Sequence, residues 1–266
     1  MTQFFNLILG PFENGHAHAG LILVSVITGA VMLFLFKLTS NQQAMKEVKT
    51  KISAYFLEMR LYKEDISAVM ASQRNILKAN MGYMKLALIP ALVMIVPVVL
   101  VIVQLELRYA HTGFGPGETA MVKVTLEEGL DVVKNPVALK ADQGVEKASP
   151  AVRIPSLNET DWKIRLTDNG IHNLTLETAA GDVTLPVYAT DRLIPIYGTF
   201  KKASFFETVF NPGAPRIPDE VPIQAVEILY PEMSFSWGFI DLSWLWSFLI
   251  ISMGFGVILK FLFGVE

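Results

Sequence analysis

His16 and His18, one residue apart in Gly-His-Ala-His-Ala-Gly, and the more distant His111 are the side chains of this chain best suited to hold a metal ion. Converging imidazoles bind divalent metals. Two histidines in that pattern, with no acidic partner inside the motif, seldom build a site, so neither metal nor cofactor is expected. The chain has no cysteine, which removes disulfides and thiolate ligands. It also lacks a G-x-S-x-G elbow, a phosphate-binding P-loop and a convincing carboxylate pair. Catalysis is not expected.

The remaining candidates are polar groups set in strongly apolar stretches: Ser25 and Thr28 in a first, Gln104 in a second, and Ser243, Ser247 and Ser252 in a third. Such groups either line a hydrophilic groove or make packing contacts between helices. Met45, Met59, Met70, Met81, Met84 and Met94 fall on the segment between the first two stretches and on the second stretch itself. Flexible, polarizable thioethers suit a surface that accepts varied apolar segments; Met45 and Met59 also fit the seam of a helix pair. Lys46, Lys49, Lys51, Arg60, Lys63, Arg74 and Lys78 form a basic face between the first two stretches. It could meet anionic lipid headgroups or ribosomal RNA. A basic loop on the cytoplasmic side is also what membrane topology alone demands.

The elements that must carry these residues follow from the distribution of apolar residues. With 52% hydrophobic and 18% charged residues, the chain is too apolar for an ordinary soluble domain. About 20 apolar residues cross a hydrocarbon core, and three segments qualify, at 20–38, 83–107 and 236–262. The first has no basic n-region and ends in Lys37 rather than at a small-residue cleavage site, so it reads as a retained span and not a signal peptide. Between Lys37 and Lys85 there are nine basic residues against four acids, whereas residues 1–36 contain no Lys or Arg. The positive-inside rule then places 39–82 in the cytoplasm, the segments 1–19 and 112–232 outside, and the C-terminus, 263–266, inside.

Residues 39–82 contain no proline, and apolar residues recur at Met45, Val48, Ile52, Tyr55, Met59, Tyr62, Ile66 and Val69. This 3-4 alternation is the seam of a coiled-coil-like helix pair. Both flanking spans enter from one side, so the chain must turn back; the reversal is expected near 62–67, with Asp65 capping the second helix. That helix should run straight into the second span, where Pro90 and Pro97 should kink it. Residues 2–9 are either a short helix at the outer membrane surface or a disordered start.

From Thr112 the texture changes. Short alternating segments at 121–126, 137–141, 152–155, 162–167, 173–177, 183–188 and 223–229 are separated by turn residues, which predicts a β-sandwich over 112–232. Trp162 with Leu174 and Leu176 looks like an immunoglobulin-type core pair without its disulfide. Residues 192–222, rich in Pro, Gly and aromatics, read as a long irregular connection. Trp237, Trp244, Trp246 and Tyr109 suit interfacial anchoring. Asp241, one turn into the third span on this reading, faces a polar cavity, pairs with Arg108 or lies at headgroup level. Lys260 is expected to snorkel to the inner face. Asn158 and Asn173 begin sequons that matter only in a eukaryotic host.

The stretch Ser40-Asn-Gln-Gln-Ala-Met-Lys-Glu-Val-Lys, then Glu58-Met-Arg-Leu-Tyr-Lys-Glu-Asp65 and Asn80-Met-Gly-Tyr-Met-Lys before a proline-containing span, resembles the Oxa/YidC superfamily of membrane protein insertases. Nearest in plan are its small three-span members, the archaeal YidC-like proteins and the insertase subunit of the endoplasmic reticulum membrane complex. In those proteins spans two and three are joined by a short connection, where this chain carries 112–232. The resemblance implies a hydrophilic groove open to cytoplasm and lipid, which lowers the cost of moving a client's polar segment through the bilayer. Ser25, Thr28, Gln104, Ser243, Ser247 and Ser252, with Met81, Met84 and Met94, are the groove candidates. Many bacterial insertases have a groove arginine, and here no basic residue sits mid-span.

The expected function is therefore a non-enzymatic insertase or chaperone in a bacterial inner membrane. Its partners would be lipids, hydrophobic clients or nascent chains and the ribosome, with the β-domain meeting other envelope proteins. The alternative is a structural or assembly subunit that docks envelope proteins through its β-domain; an ion-conducting oligomer ranks last.

Overall fold

The computed structural model describes residues 2–263, so the expected inner C-terminus at 263–266 lies, Phe263 apart, outside the described residues. The helices in chain order are α1 (Thr2–Leu9), α2 (Ala17–Thr39), α3 (Gln42–Leu61), α4 (Ile66–Tyr109), α5 (Phe205–Phe210) and α6 (Trp244–Phe263). Of these, α2, α4 and α6 are long and apolar enough to cross a membrane. The chain divides into two compact units, one of Leu21–Ile102 with Leu245–Glu266 and the other of Met1–Gly20 with Val103–Trp244.

The first unit is helical. The break between α2 and α3 is made by Ser40 and Asn41, and the Asn41 side chain caps α3 by accepting from the Ala44 amide at 3.0 Å. After Leu61 the chain turns through 62–65, and Asp65 Oδ1 accepts the amides of Ser67 at 2.9 Å and Ala68 at 3.1 Å. From that cap α4 runs unbroken for 44 residues, through both Pro90 and Pro97. Each proline withholds the amide that would bond the carbonyl four residues earlier, Leu86 or Val93.

On α3, Met45 is buried and Val48, Ile52, Tyr55 and Met59 are half-buried between exposed neighbours, so the apolar alternation does mark one face. On α4, Ser72 and Ile76 are buried. Lys49 Nζ lies 6.0 Å from the Tyr83 ring centroid, which brings α3 back alongside α4. Tyr62 and Ile66, expected on the same seam, are exposed. They sit at the turn and its exit, where neither helix has a partner to bury them, so the alternation belongs to two helices and is cut between them.

The second unit is built on β1 (Thr119–Leu126), β2 (Ala138–Ala141), β3 (Val145–Lys147), β4 (Val152–Ile154), β5 (Glu159–Leu166), β6 (Gly170–Thr178), β7 (Gly181–Ala189), β8 (Thr199–Lys201), β9 (Ile223–Leu229), β10 (Ser234–Ser236) and β11 (Asp241–Ser243). One sheet has the order β3-β5-β1-β9-β8, with β4 also paired to β5; a second is β2-β6-β7. All pairings between these strands are antiparallel. Alternate residues point inward from both sheets into one core, Val122, Val124, Trp162 and Ile164 from the larger and Leu139, Leu174, Leu176, Leu185 and Val187 from the smaller. The outward row includes Lys123, in register with Asp161 on β5 and Glu227 on β9.

Two expectations are corrected here. Residues 192–222 are not irregular throughout: they hold β8 and α5, whose first turn is capped by Ser204 Oγ accepting the Glu207 amide at 3.1 Å. The third apolar stretch is not helical from residue 236. Its start is the β10–β11 hairpin, turning through Gly238 at φ 89°, with the Trp237 amide on the Ile240 carbonyl at 3.0 Å, and α6 begins only at Trp244. Hydropathy reads the hairpin as span because its residues are apolar, but strand pairing on either side of a turn with a left-handed glycine stops a helix.

Candidate functional site

In the helical unit, α2 and α6 meet where small residues remove the bulk between them. A Cβ on Gly29 would stand 2.6 Å from the Ser252 carbonyl oxygen and 3.4 Å from the Gly256 nitrogen. Ser25 and Gly29 on α2, and Ser252 and Gly256 on α6, each form a small-xxx-small pair, the spacing that lets helix backbones touch in an apolar medium. Beyond the crossing, Phe34, Lys37 and Leu38 share a cleft with Leu259 and Phe263, so α2 and α6 run parallel.

Beside this crossing lies a cleft of about 370 Å³ walled by α2, α4 and α6. Met32, Met94 and Met253, one methionine from each helix, stand on its wall with Phe36, Phe248 and Lys260. Thr28 and Ser252 also line it. The Ser252 hydroxyl donates to the Leu249 carbonyl at 3.2 Å, and that of Ser25, one turn before Gly29, donates to the Leu21 carbonyl at 2.7 Å. Those protons return to their own helix instead of entering the cleft. The lining is thus mainly apolar and polarizable.

Of the residues singled out from sequence, the cleft gathers Thr28, Ser252 and Met94. Ser25 is buried at the α2–α6 crossing and Ser247 is buried on α6. Met81 and Met84 are exposed on α4, away from the cleft. Ser243 is not on a spanning helix: it pairs with Ser234 in the β10–β11 hairpin. Gln104 belongs to the β-bearing unit, where its side-chain and main-chain oxygens accept from Arg108 at 3.4 Å and 3.1 Å. Met32 and Met253 were missed. Thr28, Met32 and Phe36 recur at four-residue spacing, so a helical wheel drawn through Thr28 would have found Met32.

The basic residues lie on the surface of α3, the turn and early α4: Lys46, Lys51, Arg60, Lys63, Arg74 and Lys78 are exposed, and Lys49 is half-buried over Tyr83.

In the β-bearing unit, the segments adjoining the spans are tied together. Arg108 is buried and also donates to Asn6 on α1. His18 packs edge-on against Phe235 at 4.9 Å and Trp237 at 5.4 Å, and Tyr109 lies 5.8 Å from Phe235. The Leu193 amide reaches the Glu13 carbonyl at 3.0 Å, and Arg192 pairs with the Glu13 carboxylate at 2.8 Å. His16 bonds the Asn14 carbonyl, while His111 bridges to Glu232. Among the described residues no three His, Asp or Glu side chains gather as metal ligands. Asp241 is exposed on β11, opposite Ser236, and Arg108 is engaged by amides instead.

Two electrostatic features mark the β-domain. Burial pushes the Tyr188, Tyr197 and Tyr230 phenols above their ordinary range. Tyr230 Oη accepts the Tyr188 amide at 3.0 Å. On the outward face of the larger sheet, burial and then neighbouring Asp161 raise the Glu159 carboxyl above the usual carboxylate range, against the opposing pull of Lys123 at 3.9 Å.

No protein-family model, curated protein or solved structure matches this chain. Three helices of spanning length and apolarity, with two antiparallel sheets sharing one core, mark it as an integral membrane protein carrying a β-domain.

Proposed function

We propose that the chain is a non-enzymatic insertase or chaperone of the Oxa/YidC type that receives apolar client segments in the methionine-lined cleft of α2, α4 and α6. The observation that carries this reading is the cleft itself, a concave apolar surface with one thioether from each helix. Thioethers adapt to many side-chain shapes, which a surface for varied clients requires. In this reading the α3–α4 hairpin is cytoplasmic and offers its basic residues to ribosomes or anionic lipid. The β-domain, taken as immunoglobulin-like on the buried Trp162 and the Leu174/Leu176 row that share its core, lies outside a bacterial inner membrane and meets clients or partner subunits. The test is depletion followed by a topology assay on clients with short translocated tails. Normal insertion of every such client sinks the reading.

A second reading, an assembly subunit docking envelope proteins, is favoured by α5, whose Phe205 and Phe206 are exposed on the β-domain. Affinity purification separates the two: nascent chains and ribosomes support the insertase, a stoichiometric stable complex supports the assembly role.

A further inference from the structure

We infer that α1 and the β10–β11 hairpin are a two-part interfacial anchor, with Phe4, Leu7, Phe239 and Ile240 seated in the headgroup region of the bilayer. The inference stands apart from the insertase reading. No charged residue precedes Glu13, so α1 is uncharged on every face. Its Phe5 and Leu9 are buried. On the other side Phe4 and Leu7, one turn apart, are 61% and 79% exposed. The hairpin repeats this arrangement: Phe235 is buried, while Phe239 at the tip is fully exposed and Ile240 is 61% exposed. Each element therefore has one apolar side covered by protein and another covered by nothing in the fold.

Chain continuity says what covers them. The last residue of β11 is Ser243 and α6 starts at Trp244, so the hairpin is joined to a spanning helix with no linker. Only residues 13–16 separate the 3-10 turn Gly10–Phe12 from α2. A residue of chain spans at most about 3.6 Å, which keeps both elements near the level where their helices leave the hydrocarbon. Asn6 ties α1 to Arg108 at the end of α4, and the next residue, Tyr109, packs on Phe235 of the hairpin, as His18 of α2 does, so both elements are fixed to the same helix ends. Aromatic and aliphatic side chains carried at that depth insert a few ångströms below the headgroups. With a single acid, Asp241, and no base between them, the two elements have no need of anionic lipid.

The absence of cysteine makes each introduced thiol unique. Full-length Leu7→Cys, Phe239→Cys and Ile240→Cys variants, labelled with an environment-sensitive dye, would be reconstituted in phosphatidylcholine vesicles. Val133→Cys, on an exposed loop of the β-domain, is the aqueous reference. The expected result is blue-shifted emission at the three anchor positions. Lipids spin-labelled near the headgroup should quench them strongly, and iodide at least about threefold less than at position 133. Iodide quenching equal to the reference would show that the face meets water. Protection from both iodide and spin-labelled lipid would show that protein covers it. Either outcome overturns the anchor.

Discussion

Gly29 and Gly144 carry constraints that no other residue type meets. At Gly29 an added side chain collides with the Ser252 carbonyl, so Gly29→Val should separate α2 from α6 and destabilise the helical unit by about 1–3 kcal/mol. Thermal unfolding in detergent micelles reads this; an unchanged melting temperature would deny the close crossing. At Gly144 the φ of +87° favours glycine, and a Cβ would stand 2.2 Å from His172 Cε1. The His172 ring is fixed between the Gln143 and Asp168 carbonyls at 3.0 Å and 3.1 Å, so it has little room to yield. Gly144→Ala should therefore cost the β-domain more than about 1 kcal/mol, measured by denaturant titration. Glu159 supplies a pH dependence. Its carboxyl is raised in the fold, so the folded state holds this proton more tightly than the unfolded chain. The stabilisation is complete below the ordinary carboxylate range and is lost as pH rises through the raised value. Glu159→Gln should raise the β-domain's melting temperature at neutral pH and lose that advantage in acid; a drop at neutral pH would mean that the Lys123 pairing dominates.

At the scale of elements, the turn at 62–65 depends on one side chain. Asp65→Ala removes the acceptor for the Ser67 and Ala68 amides and should cost about 0.5–2 kcal/mol at the start of α4. Limited proteolysis would report it as faster cleavage near Lys63, while unchanged cleavage would mean that packing alone sets the turn. This cap was legible because its signal is local: an aspartate followed by amides two and three residues on. The seven strand segments were legible for a similar reason, since alternation is written into each strand. β3 and β8 stand as three-residue strands because β5 and β9 offer them an edge, which depends on partners distant in the chain. The β10–β11 hairpin escaped because apolar composition does not tell a paired strand from a membrane helix. Its cross-strand bonds, Ser234 with Ser243 and Ser236 with Asp241, make the difference.

For the whole molecule, the proposed topology makes a direct prediction. Probes at the exposed Lys46 and Val133 should be accessible from opposite sides of a sealed vesicle, because on the proposed topology the nine basic residues between Lys37 and Lys85 keep the hairpin on the inner side. Labelling of both from one side would remove the insertase proposal and the outer β-domain together. Sequence alone determined that this chain carries three spanning segments, a basic helical segment between two of them and an antiparallel β-domain. Each follows from run length, charge bias or short-range period, which are properties of neighbours along the chain. Tertiary structure decided which polar residues share a surface. Ser25, Thr28, Gln104, Ser243 and Ser252 look alike as hydroxyls or amides in apolar runs. Yet Thr28 and Ser252 line the cleft, Gln104 holds Arg108, and Ser243 closes a hairpin. It also put Met32 and Met253 on the cleft wall and left Met81 and Met84 exposed elsewhere on α4. The physical reason is that helix rotation is set by packing: where Gly29 meets Ser252 fixes which faces of α2 and α6 close together and which stay open, and their residues lie far apart along the chain.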